Sequence, residues 1–593
     1  MTELSRQQRA VIELGGDVFV TACPGSGKTR VLTEKIIATL EHGIPSCQRI
    51  AAVTFTNRAA DEIASRLQES GYSRRQLWTG TIHSFALDWI LRPYASYDES
   101  ISRGFSVADE FHCRRLLESL RENHGVQYTD NLRKGYDRDG ELLTKDVNER
   151  RLIEEFREHL GANRLIDFDR VLYLAFNLLQ RRPEIAKTLG AIFSLVCIDE
   201  YQDTQDLQFG ILSSIVRASN ERSRVFIVGD KNQAIYSSLG GMAKTIQEVK
   251  DEFARPQLLH RELSGNYRST QRIVDFCANM CETGEEPITS LASHADEQGI
   301  ITFANQSIDK DDLAQSIAQL VEYHLGCGVN AEDICILGPS WALLTALGRQ
   351  LVLHLPNVDL DAPGLSPLRY QPDSLWFRLA RLFLTDPTPS RFRTRFRWAT
   401  DFVLNLEECL GKELPESCRT ARSILRLTNI IASVEESGLA YLDDVFEQFF
   451  AGLEIDLNEY PEILAARQSF FDGAEERLIN RESELESIDN LKKMFRHPSG
   501  IVVNSCHGAK GEEYAVVICF GLLRGFVPNW QRIIDNDVDD CAESKRILYV
   551  IASRAKKCIH LFSENGRVTR RQQAYETTYE LTEFEFDYDG HPE

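Results

Sequence analysis

No apolar run in the chain approaches ~18 residues, the length a membrane-crossing helix needs. The opening residues, MTELSRQQRAVIE, hold no apolar signal segment. No membrane span is therefore expected, and the cytoplasm is the expected compartment. No two cysteines are spaced CxxC. The closest pair, Cys277 and Cys281 in CANMC, is spaced CxxxC, and no histidine cluster completes a zinc pattern. Fourteen cysteines scattered in this way read as buried, reduced thiols rather than as a metal or disulfide framework. There is no repeat of fixed period and no low-complexity linker. Basic residues are outnumbered by acidic ones, 67 to 89. A net charge of −22 excludes a general basic coat for nucleic acid but not a local basic groove, because net charge averages over the surface.

What is present suits several packed domains. A length of 593 residues fits about four domains at ~150 residues each, and 43% hydrophobic content is ample for their cores. Short β-branched runs precede Gly-rich or polar turns: VFVTA (18–22), RIAAVTFT (49–56), FSLVCIDE (193–200) and RVFIVGD (224–230). A second set follows: GIITFA (299–304), DICILG (333–338), IVVNS (501–505), AVVICFG (515–521) and CIHLF (558–562). Continuous apolar strands of this kind are buried on both faces, as in parallel α/β sheets. Two α/β cores are expected. Charged, helical stretches at about 88–190 and 375–497 read as insertions in them; AYLDDVFEQFFAGL (440–453) shows the helical period. The tail YELTEFEFDYDGHPE alternates Phe584, Phe586 and Tyr588 with acids, which suits an edge strand or a frayed end ahead of a partner-docking tail.

The stretch VFVTACPGSGKTR points to nucleotide chemistry. Ala22, Cys23, Pro24, Gly25, Ser26, Gly27, Lys28 and Thr29 form a P-loop with alanine in first position, after a strand and before a helical pattern. The glycines let backbone N–H groups approach phosphates at a helix N-terminus, which favours anions. Lys28 should reach the β- and γ-phosphates, and Thr29 should ligate Mg²⁺. Such a loop needs an acid at the end of another strand. LVCIDEYQDTQ supplies Asp199 to hold Mg²⁺, directly or through water, and Glu200 to polarise the attacking water. Arg268 in GNYRST and Arg554 in YVIASRAKK are candidates to stabilise the charge that develops on hydrolysis.

Taken as a set, these pieces resemble the superfamily 1A DNA helicases of the UvrD/Rep/PcrA type. LSRQQRAVI (4–12), TACPGSGKTRVL (21–32), VTFTNRAADEIASRL (53–67), GTIHSFA (80–86), DFDRVL (167–172), CIDEYQDTQ (197–205), VGDKNQAIY (228–236), GNYRST (265–270), CHGAKGEEYAVVI (506–518) and ESKRILYVIASRA (543–555) carry the resemblance. It covers about 1–340 and 500–562, and almost nothing aligns between about 375 and 497.

The resemblance implies an α/β protein with two RecA-like P-loop motor domains, each with a mainly helical insertion, and ATP with Mg²⁺ in the cleft between them. Domain 1A would comprise 1–87 and 191–275, interrupted by insertion 1B at 88–190. Domain 2A would comprise 276–374 and 498–568, interrupted by a shortened 2B at 375–497. An acidic C-terminal tail would occupy 569–593. Gln8 would read the adenine edge, with Gln7 competing on spacing. Arg30 and Tyr267 would pack on the base, Glu513 would meet the ribose, and Gln233 would sense the γ-phosphate. Arg268 and Arg554 would close on that phosphate from the two domains. On the DNA track, Phe55 and Tyr236 would stack on bases. Thr54, Thr56, Asn57 and Arg58 would donate to phosphates, and His83 and His507 would also face the strand.

The chain departs from the family pattern at three places. Ser238 and Leu239 stand in IYSSLGG where the family has an aromatic residue and an arginine. Lys231 stands where an acid is common, and Glu512 where leucine is usual. All three lie in or near DNA-coupling motifs and outside the hydrolytic core. In DPTPSRFRTRFRW (386–398), Arg391, Arg393, Arg395 and Arg397 interleave with Phe392, Phe396 and Trp398. This reads either as a helix packed by its aromatics with solvated arginines, or as a contact for DNA or a partner.

Two functions fit. The first is an ATP-dependent single-stranded DNA translocase and helicase, 3′ to 5′ by resemblance, acting on single strands and on single/double-strand junctions. The second is a DNA-sensing ATPase switch regulating a partner nuclease, as in Gabija-type antiphage systems. For that reading, only about 30 residues follow CIHLF, too few for a nuclease domain. Repair, replication restart, plasmid replication and phage defence all use such a motor.

Overall fold

The computed structural model describes residues 4–69, 76–108, 110–126, 132–236, 240–281, 287–361, 366–369, 371, 374–479, 487–496, 499–530, 533, 540–569 and 571–592. The chain divides into two units. One comprises Met1–Val107, Leu120–Pro356 and Asn504–Glu593; the other comprises Ala108–Ser119 and Asn357–Val503.

The first unit holds a parallel sheet made from β1 (Val18–Ala22), β2 (Arg49–Thr54), β3 (Leu77–Thr81), β4 (Phe193–Ile198), β5 (Arg224–Gly229) and β6 (Leu259–Leu263). Their order is β3–β2–β4–β5–β1–β6. Alternate residues of a strand point to opposite faces. Phe19 of β1 joins a core with Phe85, Phe193 and Phe209, while Val18 and Val20 join another with Val31 and Ile36. Both faces of the sheet are therefore covered, which explains the continuous apolar runs. The run expected from sequence at 18–22 forms a strand throughout, and those at 49–56, 193–200 and 224–230 form strands that end one or two residues earlier.

The same unit contains β7 (Ile300–Asp309) and β8 (Ile334–Gly338). The chain returns to this unit within β10 (Ile501–Ser505) and continues through β11 (Tyr514–Cys519) and β12 (Ala555–Asn565). β12 lies between β7 and β11, and β8 pairs with β11, all parallel. Every residue of β8 is buried. These are two RecA-like parallel sheets in an α/β protein.

In the second unit the short β9 (Leu360–Asp361) pairs with the start of β10. The rest is mainly helical: Leu375–Phe383, Phe392–Leu410, Ala421–Ile430, Gly438–Gly452 and Pro461–Ile479. Trp376, fully buried, packs among Phe446 and Phe450 at ring distances of 5.2 and 5.3 Å.

Two readings of this chain need correction. The arginines of 391–397 are not uniformly solvated. Arg395 is buried and donates to the Leu382 carbonyl at 3.0 Å and the Asn429 side chain at 3.0 Å. Helical geometry turns it inward while Phe392 and Phe396 stay exposed on one face, 5.9 Å apart. The tail residues are neither a run of edge strand nor a frayed end. Asp589 makes a single bridge to Thr302, and the rings of Phe584, Phe586 and Tyr588 gather on Phe276. Among the described residues, no helix is long and apolar enough to cross a membrane.

Candidate functional site

The P-loop joins β1 to the helix α1 (Lys28–Glu41). Gly27 occupies the cap position at φ +80° and has no side chain with which to cap. The first N–H groups of this helix are therefore left for an incoming anion. Gly25 is also left-handed, at φ +67°, and a Cβ there would lie 2.7 Å from the Arg268 Cβ. The Ser26 hydroxyl is buried with no hydrogen-bond partner. Lys28 is buried, and its charge acts on both Asp199 and Glu200.

Those two carboxylates follow β4. The Asp199 N–H still donates to Val53 of β2 at 2.9 Å, and the chain then turns sharply, with Glu200 at φ +51°. A left-handed non-glycine residue costs of order 1–3 kcal/mol and persists where surrounding structure fixes it. Here the Gln202 amide donates to Glu200 Oε2 at 2.5 Å, and Gln202 Oε1 accepts the Asp230 N–H at 3.0 Å. Burial and the neighbouring Glu200 push the Asp199 carboxyl up to about 7. Burial opposes ionisation of Glu200 too, but Lys28, Lys510, Gln202 and Arg554 outweigh it and hold its carboxyl below the ordinary range. Adjacent acids with such opposite environments are suited to different tasks.

Residues near the second sheet reach the same place. Arg554, buried, donates to Gln233 Oε1 at 3.3 Å, to the Glu512 carbonyl at 3.2 Å and to Ser553 Oγ at 2.9 Å. Burial, with Arg268 nearby, lowers its pKa to about 10. Arg268 donates to Glu513 at 2.8 Å and to the Ser553 carbonyl at 2.8 Å. Gln233 donates to Asp230 at 2.9 Å, and its carbonyl accepts from Lys510. Lys510 also pairs with Asp203, whose carboxyl burial pushes up to about 7 against the pull of that ammonium.

The residues expected around the base have other partners here. Gln8 is buried beneath the P-loop and donates to the Ser26 carbonyl at 2.9 Å, while its side-chain oxygen accepts the Ser5 N–H at 3.0 Å. Gln7 is exposed and donates to Ser264 at 3.1 Å. Arg30 is half-buried. Tyr267 is 38% exposed, and its N–H donates to Gly25 at 2.8 Å. Glu513, expected at the ribose, is paired with Arg268 and with Lys556 at 3.1 Å. Burial disfavours its charge, but these two cations lower its pKa overall.

On the expected DNA track, Phe55 and Tyr236 stack on each other with centroids 4.8 Å apart and planes at 27°. Tyr236 donates to the His507 carbonyl at 3.2 Å, and Lys510 lies over its ring at 5.2 Å. Thr54 is buried and donates to the Thr56 carbonyl, while Thr56 Oγ accepts the Ala59 N–H. His83 contacts Phe168 edge-on at 5.4 Å, and burial lowers its pKa to about 4. Burial and Lys510 lower that of His507. The side chains of Asn57 and Arg58, and residues Ser238 and Leu239, lie outside the described residues. Lys231 sits half-buried in the turn Lys231–Gln233. The Glu512 carboxylate accepts from the Tyr514 hydroxyl. Its main chain, contrary to expectation, does touch the hydrolytic set, by holding Arg554.

Sequence reasoning did not single out Gln202, Asp203, Lys510 or Asn266. Asn266 ties the Pro24 carbonyl to the Arg268 N–H, at 2.9 and 2.8 Å. Each lies inside a string already quoted, but only the fold shows what it faces.

A P-loop after a parallel strand, paired acids at the end of another strand, and two arginines, Arg268 following the first sheet and Arg554 preceding a strand of the second, define a P-loop protein with RecA-like motor domains. Residues 4–254 match the UvrD/REP helicase N-terminal domain, and residues 467–565 match the UvrD-like helicase C-terminal domain. The ATP-dependent DNA helicase Rep of Escherichia coli (strain K12) is 24% identical over 616 residues, covering 93% of this chain and 89% of Rep. The ATP-dependent DNA helicase PcrA of Staphylococcus aureus (strain Mu50 / ATCC 700699) is 22% identical over 618 residues, covering 95% and 83%. The chain belongs to the UvrD/Rep family of helicases.

Proposed function

We propose that this protein is an ATP-dependent single-stranded DNA translocase and helicase, moving 3′ to 5′. One observation carries the reading most: Arg554 bonds to Gln233 and Lys510 bonds to Asp203, so groups from the two sheets share one site beside the P-loop. In this reading residues 1–87 and 191–275 form domain 1A, with 88–190 as 1B. Residues 276–374 and 498–568 form 2A, with 375–497 as 2B.

Lys28 grips the β- and γ-phosphates, and the orphaned Ser26 hydroxyl gains a phosphate oxygen. Glu200, held charged, orients water at the γ-phosphate. Arg268 and Arg554 exchange their present partners for that phosphate. Its release returns them, which lets the two sheets part and close once per turnover. Gln8, Arg30 and Tyr267 border the base, and Glu513 the ribose. Thr29 and Asp199 offer hard oxygens suited to Mg²⁺. No cluster of three or more His, Cys, Asp or Glu ligands occurs among the described residues, so the remaining oxygens would come from phosphate and water. When bound, the ion neutralises charge on the phosphates. Thr54, Phe55, Thr56, Asn57, Arg58, His83, Tyr236 and His507 line the strand.

The test is ATP turnover with and without single-stranded DNA, together with strand displacement on duplexes bearing a 3′ or a 5′ single-stranded tail. Stimulation by DNA and displacement from the 3′ tail are expected. Turnover indifferent to DNA would sink the reading. One observation favours a DNA-sensing switch: Phe55 and Tyr236 stack on each other, so an entering base has to part them. Turnover on single strands with no displacement from either tail would select that alternative.

A further inference from the structure

Residues 584–591 lie against the helix Gln271–Ala278, which begins three residues after Arg268. Arg272 and Phe276, one turn apart on that helix, share a face. The segment meets both of them. Arg272 donates to Asp589 Oδ2 at 2.7 Å and to the Asp587 carbonyl at 2.6 Å, and lies over the Phe586 ring at 5.9 Å. Its remaining bond runs to the Gly299 carbonyl at 3.0 Å. Phe276 is fully buried, with the rings of Phe586, Phe584 and Tyr588 edge-on to it at 5.0, 5.9 and 6.1 Å.

Asp589 ties the segment to the second sheet at the same time. Its N–H donates to the Ile301 carbonyl and its Oδ2 accepts the Ile301 N–H, both at 2.8 Å. His591 completes the attachment against Phe562, with centroids 5.3 Å apart. The link to the sheet is a single bridge, Thr302↔Asp589, so side chains rather than a strand ladder hold the segment in place. Segments held this way open at lower cost than core strands.

We propose that residues 584–591 are a positioning strap for Arg268. Docked, the strap fixes the helix behind the arginine and thereby its approach to the γ-phosphate. Released, it leaves the P-loop intact but the arginine misplaced. Phe276 and Arg272 are the receiving groups, and the alternation of aromatic and acidic residues in the strap is their complement.

This rests on the placement of Arg268 at the γ-phosphate, and the experiment separates the two. Phe586→Ala, Asp589→Asn, Asp589→Glu and Arg268→Ala are made in the full chain and compared in DNA-stimulated hydrolysis. Phe586→Ala and Asp589→Asn should lower kcat on the order of 10-fold, because small misplacements of a reacting group are costly, with KM for ATP unchanged. Asp589→Glu, which keeps the charge, should recover most of the rate. A fall in kcat and a rise in KM together, or an unchanged kcat, would overturn the strap. If Arg268→Ala hydrolyses ATP at the wild-type rate, the placement of Arg268 is wrong. If only Arg268→Ala is impaired, the strap alone is wrong. Should Phe586→Ala fail to fold, Asp589→Asn, at a half-buried position, carries the test.

Discussion

Lys510 donates to both carboxylate oxygens of Asp203, at 2.9 and 2.6 Å. Their side chains are 8% and 1% exposed, so this is a buried ion pair between a loop after β10 and the turn after β4. Breaking a buried pair by removing one partner costs about 3–5 kcal/mol, because the other charge is left desolvated and alone. Lys510→Met is expected to show a loss of that order in urea unfolding at pH 8. Adding Asp203→Asn to it should restore much of the loss. Equal stabilities for wild type and Lys510→Met would show that the pair is not closed in solution.

Asp199 gives a pH signature. Its folded pKa, raised to about 7, lies above the ~3.9 of an unfolded aspartate. Between those values the native state holds a proton that the unfolded chain has released. Stability therefore falls as pH rises through that window and stays reduced above it. Asp199→Asn removes this contribution. In denaturant titrations without nucleotide, the variant should gain on the wild type as pH rises from 5 to 8, while losing ATP turnover. A difference between the two that does not change with pH would count against the buried, proton-holding carboxyl.

Stacking at Phe55 can be separated from phosphate binding. Base–aromatic stacking is worth about 1–3 kcal/mol per base. Phe55→Ala should weaken single-strand affinity by roughly 5- to 150-fold on that scale. The slope of affinity against salt should stay as it is, because no phosphate contact is lost. A changed slope with little change in affinity would place Phe55 off the strand.

The arginines of 391–397 divide by exposure. Arg395 is 4% exposed and bonded inside the helical unit, whereas Arg393 is exposed. Arg395→Ala orphans the buried Leu382 carbonyl, at about 1–3 kcal/mol for a buried group left unsatisfied, while the exposed Asn429 side chain can turn to water. Arg393→Ala should lie within about 0.5 kcal/mol of wild type. Thermal unfolding of the two variants checks the ranking, and similar melting points would refute it.

The buried strands could be read from sequence because both faces of a parallel sheet must be apolar. Four of the six strands in the first sheet follow that rule. The two that escaped, Leu77–Thr81 and Leu259–Leu263, are its edges. LWTGT carries a glycine, and LHREL, with polar residues at its three central positions, leaves Leu259, Arg261 and Glu262 exposed. The P-loop and its acids were legible because their spacing is set by phosphate geometry. Lys510 and Asp203 were not, since 307 positions separate them and only the fold makes them neighbours. Arg395 was misjudged for a related reason: arginine composition predicts charge, but helical phase decides which arginine turns inward.

Gly25 has two neighbours to satisfy. Its left-handed backbone belongs to the phosphate cradle, yet the nearest atom to a Cβ there is the Cβ of Arg268, at 2.7 Å. The identity of residue 25 is thus dictated from outside the loop as well as within it. Even a methyl group would act as a spacer between the loop and the arginine motif. Such a protein would keep its lysine and its acids and still behave in hydrolysis like one whose arginine had been removed.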